Sequence, residues 1–256
     1  MTNAFSAGKG GFMKKGLMLL LLAMLVYAPS SKAGTKLVEV SLGGTNIKLP
    51  APEEFSEVSE VSPQTRSQAE KLTIPQNRLL AYFVPDADLE RLKKSQGATL
   101  EYQRYTMVQT LRAAESLNMS TQDFRGLAQR VRQEQGQFPE RDREQAQAYV
   151  DDASDRLSKE RGVAVDLKVG QPQALGVFAD GDDYIASALL AKMKAAMGEK
   201  SVEFVIVSAS GFLRVKNKLI FAWVYSKYDS QEDIDWVRAA AKDWIQGILS
   251  ANQPGT

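Results

Sequence analysis

The residue types that most often carry chemistry are missing: the 256 residues contain no histidine and no cysteine. A serine–histidine–aspartate triad, a cysteine–histidine pair and the common zinc sites are therefore beyond this polypeptide alone. Oxygen chemistry and stacking remain. Paired carboxylates or a serine–lysine pair would support hydrolysis, and oxygen ligands could hold a hard cation. Asp180, Asp182 and Asp183 are the metal candidates, because calcium wants several carboxylate oxygens close together. No glycine-then-glutamate continuation of an EF-hand follows them. The competing expectation is a turn leading into a helix, where carboxylates meet free N–H groups. Phe221, Trp223 and Tyr225 alternate with Ile220, Ala222 and Val224. The aromatic row could stack a ligand, or the two-sided apolar pattern could mark a central strand covered on both faces. No catalytic set and no cofactor are expected.

Charge adds little to that short inventory. Arg125, Arg130, Arg132, Arg141 and Arg143 are matched by Asp123, Glu134, Glu140, Asp142 and Glu144, which reads as a solvated face with local ion pairs. A nucleic-acid surface is not expected. Asp151, Asp152 and Asp155 beside Glu160 read as an acidic, solvated helix face.

The elements that must position these residues follow from periodicity and punctuation. Alternating apolar residues at 37–42 and 45–49, joined by Gly43-Gly44, predict a β-hairpin closed by Pro50 and Pro52. A short helix is expected from Pro63, a strand at 79–84, a helical turn or two at 88–95 and a strand at 99–111. Ser120 with Asp123 makes a capping box for a helix carrying Phe124, Leu127, Ala128 and Val131. A second helix runs from Asp142 to Gly162. Strands at 163–169 and 175–178 come next. Ile185, Ala188, Leu189, Met193 and Met197 keep a helical period, so a helix ended by Gly198 is expected there. Strands at 202–207, 212–215 and 219–225 follow, the last two joined by Lys216-Asn217-Lys218. Ser230 with Asp233 caps a final helix whose Ile234, Val237, Ala241, Trp244, Ile245 and Ile248 face inward. With no linker or repeat, one α+β domain is expected over 34–256, with 121–161 as a helical hairpin insertion.

The leading residues read as an export signal. Lys9, Lys14 and Lys15 precede an unbroken apolar run at 17–28, and Ser31 and Ala33 stand at −3 and −1 of a cut before Gly34. Twelve helical residues reach about 18 Å, short of the roughly 30 Å hydrocarbon core. A cleaved signal peptide at 1–33 is expected, with an uncleaved anchor as the alternative and either Met1 or Met13 as the start. Without the signal's four lysines, 28 basic residues face 31 acidic ones. That balance gives no drive toward nucleic acid or anionic lipid. No later segment is long and apolar enough to span a membrane. A cysteine-free chain of this size also folds without disulfides in an oxidising compartment.

Three stretches carry a family resemblance: IKLPAPEEF (Ile47 to Phe55), NRLLAYFV (Asn77 to Val84), and a closing block of hairpin plus long helix from Phe212 to Asn252. Their order resembles the PsbP-like α/β/α sandwich family. That family includes the extrinsic PsbP proteins of photosystem II and bacterial envelope proteins of the DcrB type. The resemblance implies a mostly antiparallel sheet with helices packed on both faces. It also implies a non-catalytic accessory module at a membrane-associated assembly. The expected function is that of an exported, periplasmic or secreted, protein-binding module whose partner is an unidentified envelope protein or complex. The alternatives are a small-molecule or lipid-binding domain, and a hydrolase built on carboxylates or a serine–lysine pair.

Overall fold

A computed structural model describes residues 37–94, 103–134 and 140–254; the expected signal peptide lies outside them. The first two strands, β1 (Leu37–Leu42) and β2 (Thr45–Pro50), form the expected hairpin as a separate two-stranded sheet. Its turn residues Gly43 and Gly44 have φ of 51° and 80°, a conformation glycine adopts without strain. Space matters as much as dihedral at Gly43, where a Cβ would meet the Glu115 carbonyl oxygen at 2.4 Å.

Eight further strands follow in chain order: β3 (Phe55–Glu57), β4 (Asn77–Pro85), β5 (Arg104–Leu111), β6 (Val165–Val169), β7 (Gln173–Asp180), β8 (Tyr184–Met197), β9 (Lys200–Val215) and β10 (Lys218–Lys227). They make one antiparallel sheet in the order β3-β4-β5-β10-β9-β8-β6, with β7 also paired to β8. The fold is α+β. Among the described residues five α-helices accompany the sheet: α1 (Pro63–Leu72), α2 (Asp86–Lys94), α3 (Thr121–Gln133), α4 (Glu140–Arg161) and α5 (Gln231–Ala251).

Alternation along β10 sorts the two faces. Ile220, Ala222 and Val224 pack with Ile234, Val237, Ala241, Trp244, Ile245 and Ile248 of α5, and with Leu42, Ile47 and Leu49 of the hairpin. The fit is close enough that a Cβ on Gly211 of β9 would meet Ile245 Cδ1 at 2.6 Å. Trp244 Nε1 donates to the Pro50 carbonyl at 2.7 Å, so α5 also holds the hairpin. The alternate residues point the other way. There α1 and α2 cover Leu79, Tyr82, Val84 and Met107, while Phe124 and Ala128 of α3 cover Ile185, Leu219 and Phe221. Helices thus pack on both faces of the sheet. α4 lies along β6, where the Ser158 and Ser154 hydroxyls accept from Val165 N and Leu167 N. It reaches α1 through Arg156, which donates to the Thr73 carbonyl at 3.2 Å.

One expected element has the wrong type. Residues 184–197 form strand β8, not a helix. Alanine, leucine, methionine and lysine favour helix locally, but every residue from Tyr184 to Met197 pairs with β9. Gly198, at φ 59°, opens the two-residue turn between them. The ladder outweighs the propensity. The expected strands at 202–207 and 212–215 are the two halves of β9, because Ser208 to Gly211 continue the pairing. Of the strand expected at 99–111, residues 99–102 lie outside the described ones.

Candidate functional site

β4 is covered by a neighbour along only part of its outer edge. β3 pairs Phe55–Glu57 with Pro85–Phe83, and Val58 N donates to the Tyr82 carbonyl at 3.2 Å. Between Tyr82 and Asn77 no strand lies beside it among the described residues. Leu80 is the extra residue of a bulge, since Leu79 pairs with Gln109 and Ala81 with the next residue, Val108. The carbonyls of Leu79 and Leu80 accept from Nη2 and Nη1 of Arg66, at 2.8 and 3.4 Å. Arg66 projects from α1, whose start is set by the Ser62 cap and Pro63. Its guanidinium is braced by Glu70 at 3.0 Å and Glu57 at 3.5 Å. A side chain stands where a neighbouring strand would otherwise satisfy the edge.

A cleft of about 600 Å³ opens over this edge. Val40 and Ser41 of β1 form one wall, and Glu70 and Thr73 at the end of α1 form the other. Arg78 crosses it: its Nη2 donates to the Ser41 carbonyl at 2.9 Å, and its Nε lies 3.2 Å from Glu115 Oε1. That second contact is an ion pair without hydrogen-bond alignment. Arg112, exposed at the rim, is anchored by its Nε to the Pro75 carbonyl at 3.2 Å. Among the described residues no carboxylate pairs with it. Asn77, only 5% exposed, donates from Nδ2 to Gln109 Oε1 at 2.8 Å, while its Oδ1 has no partner. Leaving a buried acceptor unpaired costs about 1–3 kcal/mol. The cleft therefore presents a cation with no carboxylate partner among the described residues and two edge carbonyls held by a side chain in place of a strand. This set suits a ligand offering an anionic group together with N–H donors.

The residues singled out in the sequence lie elsewhere. Asp180 ends β7, and Asp182 and Asp183 form the turn into β8. That turn belongs to a hairpin and does not start a helix, because 184–197 is strand. Each aspartate meets a different arginine: Asp180 accepts from Arg132 Nη2 at 2.7 Å, Asp182 from Arg125 at 3.4 Å, and Asp183 from Arg214 Nε at 2.8 Å. Among the described residues no group of three acidic side chains could hold a metal ion. The arginines of α3 are also less local than expected, since Arg125 and Arg132 reach across to this turn. Lys218 is buried, and its Nζ donates to the Glu115 and Leu117 carbonyls rather than to a serine.

Phe221, Trp223 and Tyr225 share the face under α1, α2 and α3. Tyr225 stacks on Tyr105 at 4.6 Å and on Trp223 at 6.2 Å, and Tyr105 continues to Tyr82 at 5.6 Å. The row is a ladder across β4, β5 and β10. Phe221 is buried against Phe212, whereas Trp223 and Tyr225 are half-buried. Trp223 Nε1 has no hydrogen-bond partner. Burial pushes the phenols of Tyr105 and Tyr225 well above their ordinary pKa, with Tyr105 adding to the rise at Tyr225.

With the geometry in place, comparison with known proteins yields little. No family model matches the chain, and no curated protein matches it. Among solved structures it is similar to the Ran-binding protein Mog1p of Saccharomyces cerevisiae, at TM-score 0.29 and 10% identity over 86% of this chain and 93% of that one. A mutant of Mog1 matches at TM-score 0.29 and 11% identity, over 85% and 93%. Likeness at this level leaves the site to be argued from its own residues. Sequence reasoning missed the cleft because its members come from β1, α1, β4 and the segment after β5. Its one local signal is Arg66 with Glu70, a helical pair four apart just after a cap.

Proposed function

We propose that this chain is an exported, non-catalytic binding module of the cell envelope, periplasmic or secreted, and that it engages a partner protein through the cleft over β4. The signal-like pattern at 1–33 and the PsbP-like order of elements support export and the accessory role. The observation that carries the binding reading is Arg112, a cation with no carboxylate partner among the described residues, at the rim of an open cleft. A photo-crosslinking residue in place of Arg112, introduced in living cells, tests this. One discrete adduct at 112, absent when the same residue replaces the exposed Glu232 of α5, supports the reading. No adduct at 112 contradicts it. A second reading, a small molecule held at the aromatic ladder, is favoured only by the unpaired Trp223 Nε1. Quenching of tryptophan emission by a ligand, lost in Trp223→Phe, would mark it.

A further inference from the structure

We propose that the cleft takes an extended acidic peptide segment, which adds to the free edge of β4 as a strand and displaces the guanidinium of Arg66. This rests on the binding reading above and names its ligand class. The edge from Asn77 to Ala81 is the right kind of template. Among the described residues no strand neighbours it, and it is flanked by β1 and α1 in a cleft open to solvent. An edge strand is normally blocked by a bulge, a proline or a fixed charge. Here the bulge at Leu80 is combined with a removable block, because Arg66 satisfies the Leu79 and Leu80 carbonyls from outside the sheet.

Exchange of partners is balanced on both sides. A peptide N–H can replace the guanidinium at the Leu79 carbonyl, and the Leu80 carbonyl, on the bulge and more weakly held, can pass to water in the open cleft. Arg66 keeps Glu57 and Glu70, which already hold it, so its charge stays paired once it leaves the edge. The acidic character follows from charge. Arg112 has no carboxylate among the described residues, and Arg78, with 35% of its side chain exposed, lies beside it in the cleft. Main-chain bonds would supply affinity, and an acidic side chain or terminal carboxylate at Arg112 would supply selectivity.

The probes are three synthetic pentapeptides: alternating valine and glutamate, the same sequence N-methylated at alternate backbone amides, and a version with lysine for glutamate. Each is titrated at millimolar concentration into the purified isotope-labelled protein, followed by amide and arginine side-chain resonances. The glutamate peptide is expected to shift the amides of 77–81 and the Arg66 side-chain signal. N-methylation should weaken binding at least about tenfold, the loss of two or so hydrogen bonds. The lysine peptide should not bind. Arg112→Gln, an exposed change that leaves the fold alone, should weaken binding about fivefold or more. Arg66→Ala combined with Glu57→Gln and Glu70→Gln, which removes the block without leaving bare carboxylates beside the peptide, should strengthen it, a result that a purely structural role for Arg66 would not give. Equal binding of the N-methylated peptide, or weaker binding by the combined Arg66→Ala, Glu57→Gln and Glu70→Gln variant, overturns strand addition. Equal binding of the lysine peptide overturns the acidic assignment. Absence of any shift at 77–81 overturns the inference while leaving the crosslinking test at 112 to decide the broader reading.

Discussion

Gly43 is where one residue's conformation and the cleft's geometry meet. Its φ and its approach to Glu115 both demand glycine, and Glu115 in turn pairs with Arg78 across the cleft. Gly44 shares the positive φ but has open space where a Cβ would stand. Gly44→Ala should therefore cost only the left-handed penalty, about 1–2 kcal/mol. Gly43→Ala should cost more, because backbone must move as well; urea midpoints of the two variants compare them directly. The stacked phenols give a second residue-scale prediction. Their pKa is raised by burial, so the neutral forms favour the folded state. That contribution is whole below the unfolded tyrosine value of about 10 and is lost as pH rises above it. Phenolate absorbance should show Tyr105 and Tyr225 ionising only as the protein unfolds in alkali. Early, independent ionisation of all tyrosines would show the ladder to be open.

At the scale of elements, the capping boxes are local and testable. The Ser230 hydroxyl accepts from Glu232 N, and Asp233 accepts from the N–H groups of Asp229 and Ser230. Ser230→Ala should cost about 0.5–2 kcal/mol. The N–H of Asp229 first, then that of Ser230 and the side chain of Arg104, hold the Asp233 carboxyl below its usual range against partial burial. A depressed carboxyl stabilises the fold above its unfolded pKa, about 3.9, and loses that effect as pH falls through the folded value. The melting-temperature gap between wild type and Asp233→Asn should narrow below about pH 4. Such caps, with the Gly43-Gly44 turn and Pro63, made the first hairpin, α1, α3 and α5 readable from sequence. β8 was not readable, because Ala188, Leu189, Met193 and Met197 satisfy a helical period while its strand state is imposed by β9. The cleft was unreadable for a related reason. The unpaired Asn77 oxygen, and the Leu79 and Leu80 carbonyls met by Arg66 instead of a strand, are properties of the assembled sheet, not of any run of residues.

At the scale of the molecule, the sheet has one face closed by α5 and the hairpin, and β4 has its outer edge covered by β3 at one end and by an arginine at the other. That asymmetry is why the functional proposal centres on β4. Export is a separate claim with its own test: the protein recovered from the envelope fraction should begin at Gly34 by mass spectrometry, and a cytosolic form still bearing Met1 or Met13 would count against it. The most direct measurement on the binding claim is hydrogen–deuterium exchange of the protein in an extract of the cells that make it, compared with the purified protein. Slower exchange confined to residues 77–81 and their neighbours at 112 in the extract is the predicted result. Unchanged exchange at 77–81, or protection appearing only on α5, would contradict the account.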